Sequence, residues 1–167
     1  MPSFSQVVQR KLAAIVPPVG TSIRNPVDFG HPFPHPDLFR GVLEIVAKET
    51  AVDTLIVDEL EMSMAGSDGT LIEQQLGSIV RANIEIPVWA KETLGKPLVM
   101  VLPVEAVATD AVEMERTRRQ IRDYYLANGI PVYLSLDRAA KALATMASYY
   151  KRLGSRSCAF ESESAQP

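Results

Sequence analysis

From about residue 38 onward, amphipathic stretches alternate with short apolar runs, and this alternation constrains the fold more than any other feature of the sequence. Leu38 to Lys48 places apolar residues at helical spacing, with Pro36 and Asp37 before it as a start signal. The run from Asp53 to Asp58 is apolar on both faces, which is typical of a strand between two layers of helices. The alternation therefore predicts an α/β layered fold with a mostly parallel sheet.

Further strands and helices follow by the same criteria. The strands are Leu98 to Leu102 and, with a proline compatible with an edge position, Ile130 to Leu134. Helices are predicted over Phe4 to Ile15, Thr70 to about Thr93 with a kink or break at Pro87, Asp110 to Asn128 with a left-handed cap at Gly129, and Ser135 to Leu153. The last helix carries an apolar stripe that we expect to be buried: Leu136, Ala139, Ala140, Leu143, Met146, Ala147 and Tyr150.

The number of strands indicates an incomplete sheet. About four can be counted, around residues 22–28, 53–58, 98–102 and 131–134, whereas a doubly wound sheet commonly has about five or six. We therefore expect the fold to lack its first strand and the helix that follows it. With 167 residues the chain fits one domain, predicted over residues 1–153. Residues 154–167 are too polar to offset the entropy of ordering them and are predicted to be a disordered tail.

Composition argues against several classes of protein. Seventeen basic and twenty acidic residues give a net charge of −3, which lacks the electrostatic footprint of a nucleic-acid binder. The apolar stretches fall short of the roughly 20 residues that span a bilayer, so no membrane association is expected. One cysteine, Cys158, and two histidines are too few for a Cys-rich zinc site. Because a single cysteine forms no internal disulfide, the composition fits a reducing, cytoplasmic location.

The most unusual segment is the proline-rich loop from Ser22 to Pro36, which contains both histidines. Prolines restrict their own backbone and that of the preceding residue, so the loop is expected to be stiff. If the residues before it form a strand, Asn25 and Asp28 lie near its carboxyl end, where open α/β sheets bind ligands. The alternative is that both side chains hydrogen-bond to loop backbone in turns.

Metal chemistry is not favoured by the residues of this loop. His31 and His35 are four residues apart, but Pro32 and Pro34 prevent the helical face on which a two-histidine metal motif depends. We therefore predict no metal site, and a metal-dependent hydrolase using both histidines and Asp58 is a disfavoured hypothesis. The acidic cluster from Asp58 to Glu61 follows a strand, where it suits either a magnesium ligand set or a solvated turn.

Several segments, in order, resemble the last flavodoxin-like subdomain of NDP-forming acyl-CoA synthetases, which are relatives of succinyl-CoA synthetase. The resemblance covers about residues 11 to 152. It rests on Asn25-Pro-Val-Asp28 preceded by Leu12, Ile15 and Pro17, Val52-Asp-Thr-Leu-Ile-Val57, Lys96-Pro-Leu-Val-Met100, Gly129-Ile-Pro-Val-Tyr133, Asp137-Arg-Ala-Ala-Lys-Ala-Leu143 and Tyr149-Tyr-Lys-Arg152.

The resemblance implies a flavodoxin-like three-layer sandwich, without its first strand and helix. The implied enzyme system makes acyl-CoA from an acid, CoA and ATP or GTP with Mg²⁺, through a phosphohistidine. The CoA-binding, phosphohistidine and ATP-grasp modules of the family have no counterpart in this sequence, and neither histidine lies in the family's Ser-His-Thr-Gly setting. The resemblance implies that Asn25 and Asp28 are loop residues near the substrate or phosphohistidine side of the subdomain. With Gly30 and His31 they form the candidate substrate or interface loop, for which no catalytic residue is predicted. The implied partners are the missing modules or subunits, or further copies of the chain.

Two functional hypotheses follow. In the first, the chain is a partial or subunit-type CoA-ligase subdomain that is not catalytic alone. In the second, it is a non-catalytic acyl-CoA or protein-binding module that kept the scaffold, since a fold by itself does not fix a function. The sequence supports the second because it carries no dinucleotide-binding, phosphate-loop, nucleophile-elbow or His-Glu-x-x-His motif.

Overall fold

The computed structural model of the chain describes residues 1–30, 34–58, 72–103 and 112–163, without the side chains of 72–76, 113–114 and 154–163. These residues form five helices and three strands. In chain order they are α1 Gln6–Ala13, α2 Pro36–Ala47, β1 Leu55–Asp58, α3 Ile72–Thr93, β2 Leu98–Val101, α4 Val112–Ala127, β3 Val132–Tyr133 and α5 Leu136–Glu163. None of the described helices combines the length and apolar character that a membrane span requires.

The three strands form one parallel sheet in the order β1-β2-β3. Leu55 pairs with Leu98, and Met100 pairs with Val132. Parallel neighbours need a long crossover connection, and the described part of each connection contains one helix, α3 between β1 and β2 and α4 between β2 and β3. The predicted α/β fold with a parallel sheet is confirmed.

The predicted strand around residues 22–28 is wrong. Ser22 and Asp28 form an isolated antiparallel bridge with each other, through two backbone hydrogen bonds of 2.9 Å, and the segment does not join the sheet. Pro26, at the centre of the segment, has no backbone N–H to donate to a neighbouring strand. The segment therefore closes into a short loop instead of extending the sheet.

Most of the core lies on one face of the sheet. Leu55, Met100 and the neighbouring inward residues of β1 and β2 pack there with side chains of α1, α2, α3 and α4. The most completely buried side chains of this core are Leu12, Met100, Tyr125 and Ile130. Pro87 lies within α3, which runs as one helix through the predicted break. Arg40 of α2 stacks on Trp89 of α3, with the guanidinium 4.2 Å from the ring centroid.

The opposite face of the sheet has a much smaller core. Val99, Val101 and Ala139 form a separate buried cluster, with Tyr133 and Leu143 packed against it. Among the described residues, α5 is the only helix that contributes to this cluster. The sheet is therefore covered unequally on its two faces.

The predicted buried stripe of the last helix is only partly correct. Ala139 is fully buried and Leu143 is half-buried, whereas Leu136, Ala140, Met146, Ala147 and Tyr150 are exposed. The reason is length. A four-residue strand spans about 13 Å, whereas the 28 residues of α5 span about 42 Å, so most of the helix extends beyond the sheet.

The predicted disordered tail, residues 154–167, begins inside the range of α5, which extends to Glu163. The side chains of 154–163 and all of residues 164–167 lie outside the described residues. The disorder of this tail stays a prediction.

The buried carboxylate of Glu49 links the N-terminal helix to the rest of the fold by a hydrogen bond. Ser5 caps α1 by accepting a hydrogen bond from the backbone N–H of Val8, and its own backbone N–H donates to Oε2 of Glu49 at 2.8 Å. Hydrogen bonds from the backbone and hydroxyl of Ser5 are the main cause that lowers the pKa of Glu49 below its ordinary value of 4.5. Glu49 therefore prefers to be ionised in the folded chain.

Replacing Glu49 with glutamine should lower the free energy of unfolding at pH 7. A carboxylate with a lowered pKa contributes stability above its ordinary pKa of 4.5, and this contribution is lost as the pH falls through the lowered value. Urea unfolding of both proteins at pH 7 and near pH 3 checks this expectation. Glu44→Gln, which removes the same charge from α2 five residues earlier in the chain, is the matched control. A deficit of E49Q that does not shrink in acid would contradict the assignment.

Candidate functional site

The candidate loop is closed by its own backbone. The Ser22–Asp28 bridge forms its base, and the hydroxyl of Ser22 accepts a hydrogen bond from the backbone N–H of Arg24 at 3.2 Å. The Asn25–Pro26 peptide bond within it is cis. Ile23, Val27 and Phe29 pack against the main core, so the loop is anchored to the fold by apolar side chains.

Asn25 and Asp28 make hydrogen bonds to backbone groups. The half-buried amide of Asn25 donates from Nδ2 to the carbonyl oxygen of Pro2 at 2.9 Å. The exposed carboxylate of Asp28 accepts from the backbone N–H of Gly30 at 2.8 Å. The contact of Asp28 is the turn-stabilising alternative that the sequence left open, whereas Asn25 bonds a backbone group 23 residues away. The two contacts separate the side chains, since one binds the N-terminal segment and the other binds its own loop.

Gly30 is needed for close approach between two loop segments. Its φ is +63°, and a Cβ at this position would overlap the carbonyl oxygen of Gly20. Only glycine adopts this backbone conformation and fits this space. His31, the fourth candidate residue of the loop, lies outside the described residues.

His35 serves as the N-cap of α2. Its Nδ1 accepts from the backbone N–H of Asp37 at 3.4 Å and lies 3.5 Å from Oδ2 of the same residue. Both side chains are exposed. Over the part of the chain that the structure describes, no group of three or more His, Cys, Asp or Glu residues could hold a metal ion.

The end of the loop is tied to α3 by Asn83. This buried side chain donates from Nδ2 to the carbonyl oxygen of Pro34 at 3.0 Å. Its Oδ1 has no hydrogen-bond partner among the described residues. The contact fixes the point at which the loop leads into α2.

Asp58 ends β1, at the carboxyl edge of the sheet. Its side chain is exposed at the surface, yet partial burial raises its pKa above the ordinary 3.8. The other acidic residues of the predicted cluster, Glu59 and Glu61, lie outside the described residues. Ionised Asp58 therefore carries a desolvation cost in the folded chain.

Replacing Asp58 with asparagine should raise the free energy of unfolding at pH 7, by no more than about 0.5 kcal/mol because the side chain remains largely in contact with solvent. The sign follows from the raised pKa of Asp58. Below pH 3.8 the carboxyl is protonated in the folded and the unfolded chain, so no cost of ionisation arises; this cost appears as the pH rises through the pKa of the folded chain. Denaturant unfolding at pH 7 and near pH 3 measures the difference. Asp53→Asn is the charge-matched control. A gain that is larger in acid than at pH 7 would rule out this cause.

Lys96 has a structural role that the sequence did not reveal. Its Nζ donates to the carbonyl oxygen of Glu49 at 2.9 Å and also to that of Val52, which joins the connection between α2 and β1 to the start of β2. Lys91 acts similarly, since its Nζ donates to the carbonyl oxygen of Asn128 at 2.5 Å, just beyond α4. The only signal in the sequence is a lysine between Gly95 and Pro97, directly before an apolar strand.

Arginines and acidic residues are interleaved along α4, a pattern that favours a solvated face with ion pairs at i,i+4. The pair of Arg119 with Glu115, at 3.1 Å, confirms part of this. Arg118 is buried, however, and contacts the other oxygen of Glu115 at 3.0 Å. The hydrogen bond from Arg119 is the main cause that lowers the pKa of Glu115. These contacts stabilise the helix and leave Glu115 already bound to two cations.

The outer edge of β1 is the most distinctive surface in the described part of the chain. Leu55 donates its backbone N–H to Pro97, so the backbone groups of Leu55 and Val57 face β2. In a parallel sheet the intervening residues face the other way, so those of Ile56 and Asp58 point to the open edge. Within the described residues no strand pairs with this edge.

The second face of β1 is also open. Side chains alternate along a strand, so Ile56 and Asp58 share the face of Val99 and Val101. Val99 and Val101 are buried under α5, whereas Ile56 is 36% exposed. An open edge and an open face thus meet at the same strand.

In comparisons with protein-family models, curated proteins and solved structures, the chain shows no significant match.

Proposed function

We propose that the chain is a CoA-ligase subdomain of an NDP-forming acyl-CoA synthetase system, in which acid, CoA and ATP give acyl-CoA. In this role it supplies an α/β scaffold and an interface, and it is not catalytic alone. The remaining chemistry belongs to CoA-binding, phosphohistidine and ATP-grasp modules on partner chains. The finer fold assignment, a flavodoxin-like sandwich that lacks its first strand and helix, is part of the same proposal.

The observation that carries the proposal is the open strand β1. An unpaired strand edge presents backbone N–H and C=O groups that another strand can bind, and proteins normally protect such edges. The exposed face beside it, at Ile56 and Asp58, accommodates a helix that covers the added strand. The resemblance predicts that one strand and one helix are missing, and an open strand edge beside an exposed face is the kind of surface that such a unit would cover.

The order of the motifs supports the same proposal. Val52 to Val57 leads into and forms most of β1, Lys96 to Met100 leads into β2, and Gly129 to Tyr133 leads into β3. The three strands are contiguous, parallel and in chain order. In a flavodoxin-like sheet of order 2-1-3-4-5, the last three strands are neighbours in this arrangement.

The test is co-purification from native extract, followed by an assay of acid-, CoA- and ATP-dependent acyl-CoA formation. We expect activity in the eluate, together with chains that carry CoA-binding and ATP-grasp modules, and none from the chain alone. A chain that purifies without such partners, or an inactive eluate, would overturn the proposal.

A variant tests whether the open edge provides the interface. Ile56→Pro removes one of the two N–H groups of β1 that point outward, at Ile56 and Asp58, without touching the hydrogen bonds to β2, and edge strands tolerate proline at such positions. We expect this variant to fold, as judged by circular dichroism, but to lose the partners. Ile56→Val keeps the N–H and should retain them. Equal recovery of partners with both variants would argue against strand addition.

The contacts of the candidate loop favour a second function, a non-catalytic acyl-CoA or protein-binding module. Asn25 and Asp28 are already bound to backbone groups, so the described residues place no reactive side chain there. This function predicts that the isolated chain binds a partner or acyl-CoA without turnover. Calorimetric titration with CoA and acetyl-CoA distinguishes the two, since binding by the isolated chain supports the module and binding only by the assembled complex supports the ligase.

A further inference from the structure

One flank of α5 carries apolar side chains that nothing in the described chain covers. Leu136, Ala140 and Ala147 follow one another at intervals of four and seven residues, so they share one side of the helix. All three are exposed, Leu136 to 47%. Ala139, beside Ala140 in the chain, is fully buried against the sheet. Leu136 and Ala140 thus adjoin the contact with the sheet, and their exposure has a cause besides the length of the helix. We refer to Leu136, Ala140 and Ala147 as the α5 flank.

The handedness of the fold turns the α5 flank toward β1. Helices α3 and α4 lie on the main-core face and parallel crossovers are right-handed, so β3 lies to the right of β1 when the sheet is viewed from that face with its strands pointing upward. Helix α5 follows β3 after a short turn and packs on the opposite face, so it runs downward. On a right-handed helix in this position, the residue after each sheet contact turns toward β1. Ala140 is such a residue, because it follows Ala139.

The spacing of helices and strands shows how much of this face α5 can cover. Packed helices lie about 8–10 Å apart and neighbouring strands about 4.8 Å apart, so one helix of a layer covers about two strands. Helix α5 packs on β2 and β3, through Val99, Val101 and Tyr133. The next helix position in this layer therefore lies over β1 and over one further strand, which the described residues do not supply.

A strand followed by a helix is the occupant that fits both openings. A strand alone would pair with the outward backbone groups of Ile56 and Asp58 but would leave the side chain of Ile56 and the α5 flank exposed. A helix alone would have one strand beneath it and would leave the edge of β1 unpaired. A second copy of the chain, paired antiparallel through its own β1, would keep its α5 over its own β2 and β3. The face above the two β1 strands would then stay uncovered.

We propose that one strand–helix segment of a partner chain binds this surface. Its strand pairs with the outer edge of β1, and the helix that follows the strand packs against Ile56 and the α5 flank. The added strand runs parallel to β1, since the sheet is all-parallel and such sheets are covered on both faces. It therefore ends at the edge where α5 begins, and its helix returns alongside α5, where the small side chains of Ala140 and Ala147 allow close approach. The inference rests on the proposed function for the existence of a partner chain, and it adds α5 to the interface.

Site-specific photo-cross-linking of the full chain in native extract tests the proposal. Benzoylphenylalanine replaces either Asp58, at the open edge, or Ala140, on the α5 flank, and mass spectrometry identifies the linked peptides. We expect both positions to link to one partner chain, with the peptide linked to position 140 following the other within about 25 residues, the length of a strand, a turn and a helix. Thr145 is exposed on the side of α5 away from the sheet, and the same replacement there should give no link to that chain.

A substitution on the α5 flank separates this inference from the ligase role. Ala140→Glu places a charge in the helix contact and should abolish recovery of the partner, whereas Thr145→Glu should retain it. Both positions are exposed, so both variants should fold, as circular dichroism can verify.

The two proposals fail in different ways. Links from positions 58 and 140 to different chains, links to a second copy of this chain, or full recovery of the partner with Ala140→Glu would overturn the strand–helix interface, even if the eluate forms acyl-CoA. The expected links in an eluate that forms no acyl-CoA would overturn the ligase role and support the interface. A chain that recovers no partner would overturn both.

Discussion

Replacing Tyr125 with alanine should lower the free energy of unfolding by about 3–5 kcal/mol, the range for aromatic residues removed from a well-packed core. Tyr125 is completely buried in the main core, where α4 meets the sheet, and its carbonyl oxygen accepts the hydrogen bond from Ile130 that leads into β3. A loss of this size is a large fraction of the total stability of a typical domain, about 5–15 kcal/mol. Equilibrium unfolding in urea, followed by circular dichroism, measures it.

The neighbouring tyrosine provides a matched control. Tyr124 precedes Tyr125 on the same helix and its ring lies 5.8 Å from that of Tyr125, but it is 38% exposed. Tyr124→Ala should therefore cost about 1 kcal/mol or less, in the range of partly exposed substitutions. If the two substitutions had similar effects, the assignment of Tyr125 to the main core would be wrong.

Replacing Gly30 with alanine should destabilise the chain by about 2–4 kcal/mol, because two separate costs add. The first is the left-handed backbone, since φ is +63°. The second is the overlap between the new Cβ and the backbone of Gly20, which cannot be relieved by rotating a side chain. The loop from Gly20 to Gly30 would have to move away from the fold.

Gly95 separates these two costs. Its φ is +67°, almost the same as at Gly30, but a Cβ there meets nothing within 4 Å. Gly95→Ala should therefore show only the cost of the left-handed backbone, about 1–2 kcal/mol. Urea midpoints of the two variants give the comparison, and an effect at Gly30 no larger than that at Gly95 would refute the close approach.

The elements that the sequence predicted correctly are those defined by local chemistry. Leu98 to Leu102 is a run of apolar residues, and the structure places β2 there as the central strand with both faces buried. Gly129 was predicted to end α4 in a left-handed conformation, and its φ is +68°. Such signals depend on the residues themselves and on their immediate neighbours, so they can be read without knowledge of the tertiary structure.

The errors arose where the outcome depends on distant parts of the chain. The pattern of α5 correctly gave an apolar stripe, but burial of that stripe depends on how far the sheet extends beneath it. Ile23 and Val27 favour a strand by composition, but Ser22 and Asp28 pair with each other. At the candidate loop, the hydrogen bond from Asn25 to the carbonyl oxygen of Pro2 joins positions 23 residues apart. No local pattern encodes that contact.

The unequal covering of the sheet has a consequence for how the chain opens. Regions that bury few apolar side chains exchange their amide hydrogens through local opening, well before the whole molecule unfolds. The cluster under α5 is small, whereas the opposite cluster includes parts of four helices. Helix α5 can therefore detach while the rest of the core persists, and its amides should exchange faster than those of β2. Such an opening would expose Val99 and Val101, at the centre of the sheet, to solvent while the opposite face stays packed.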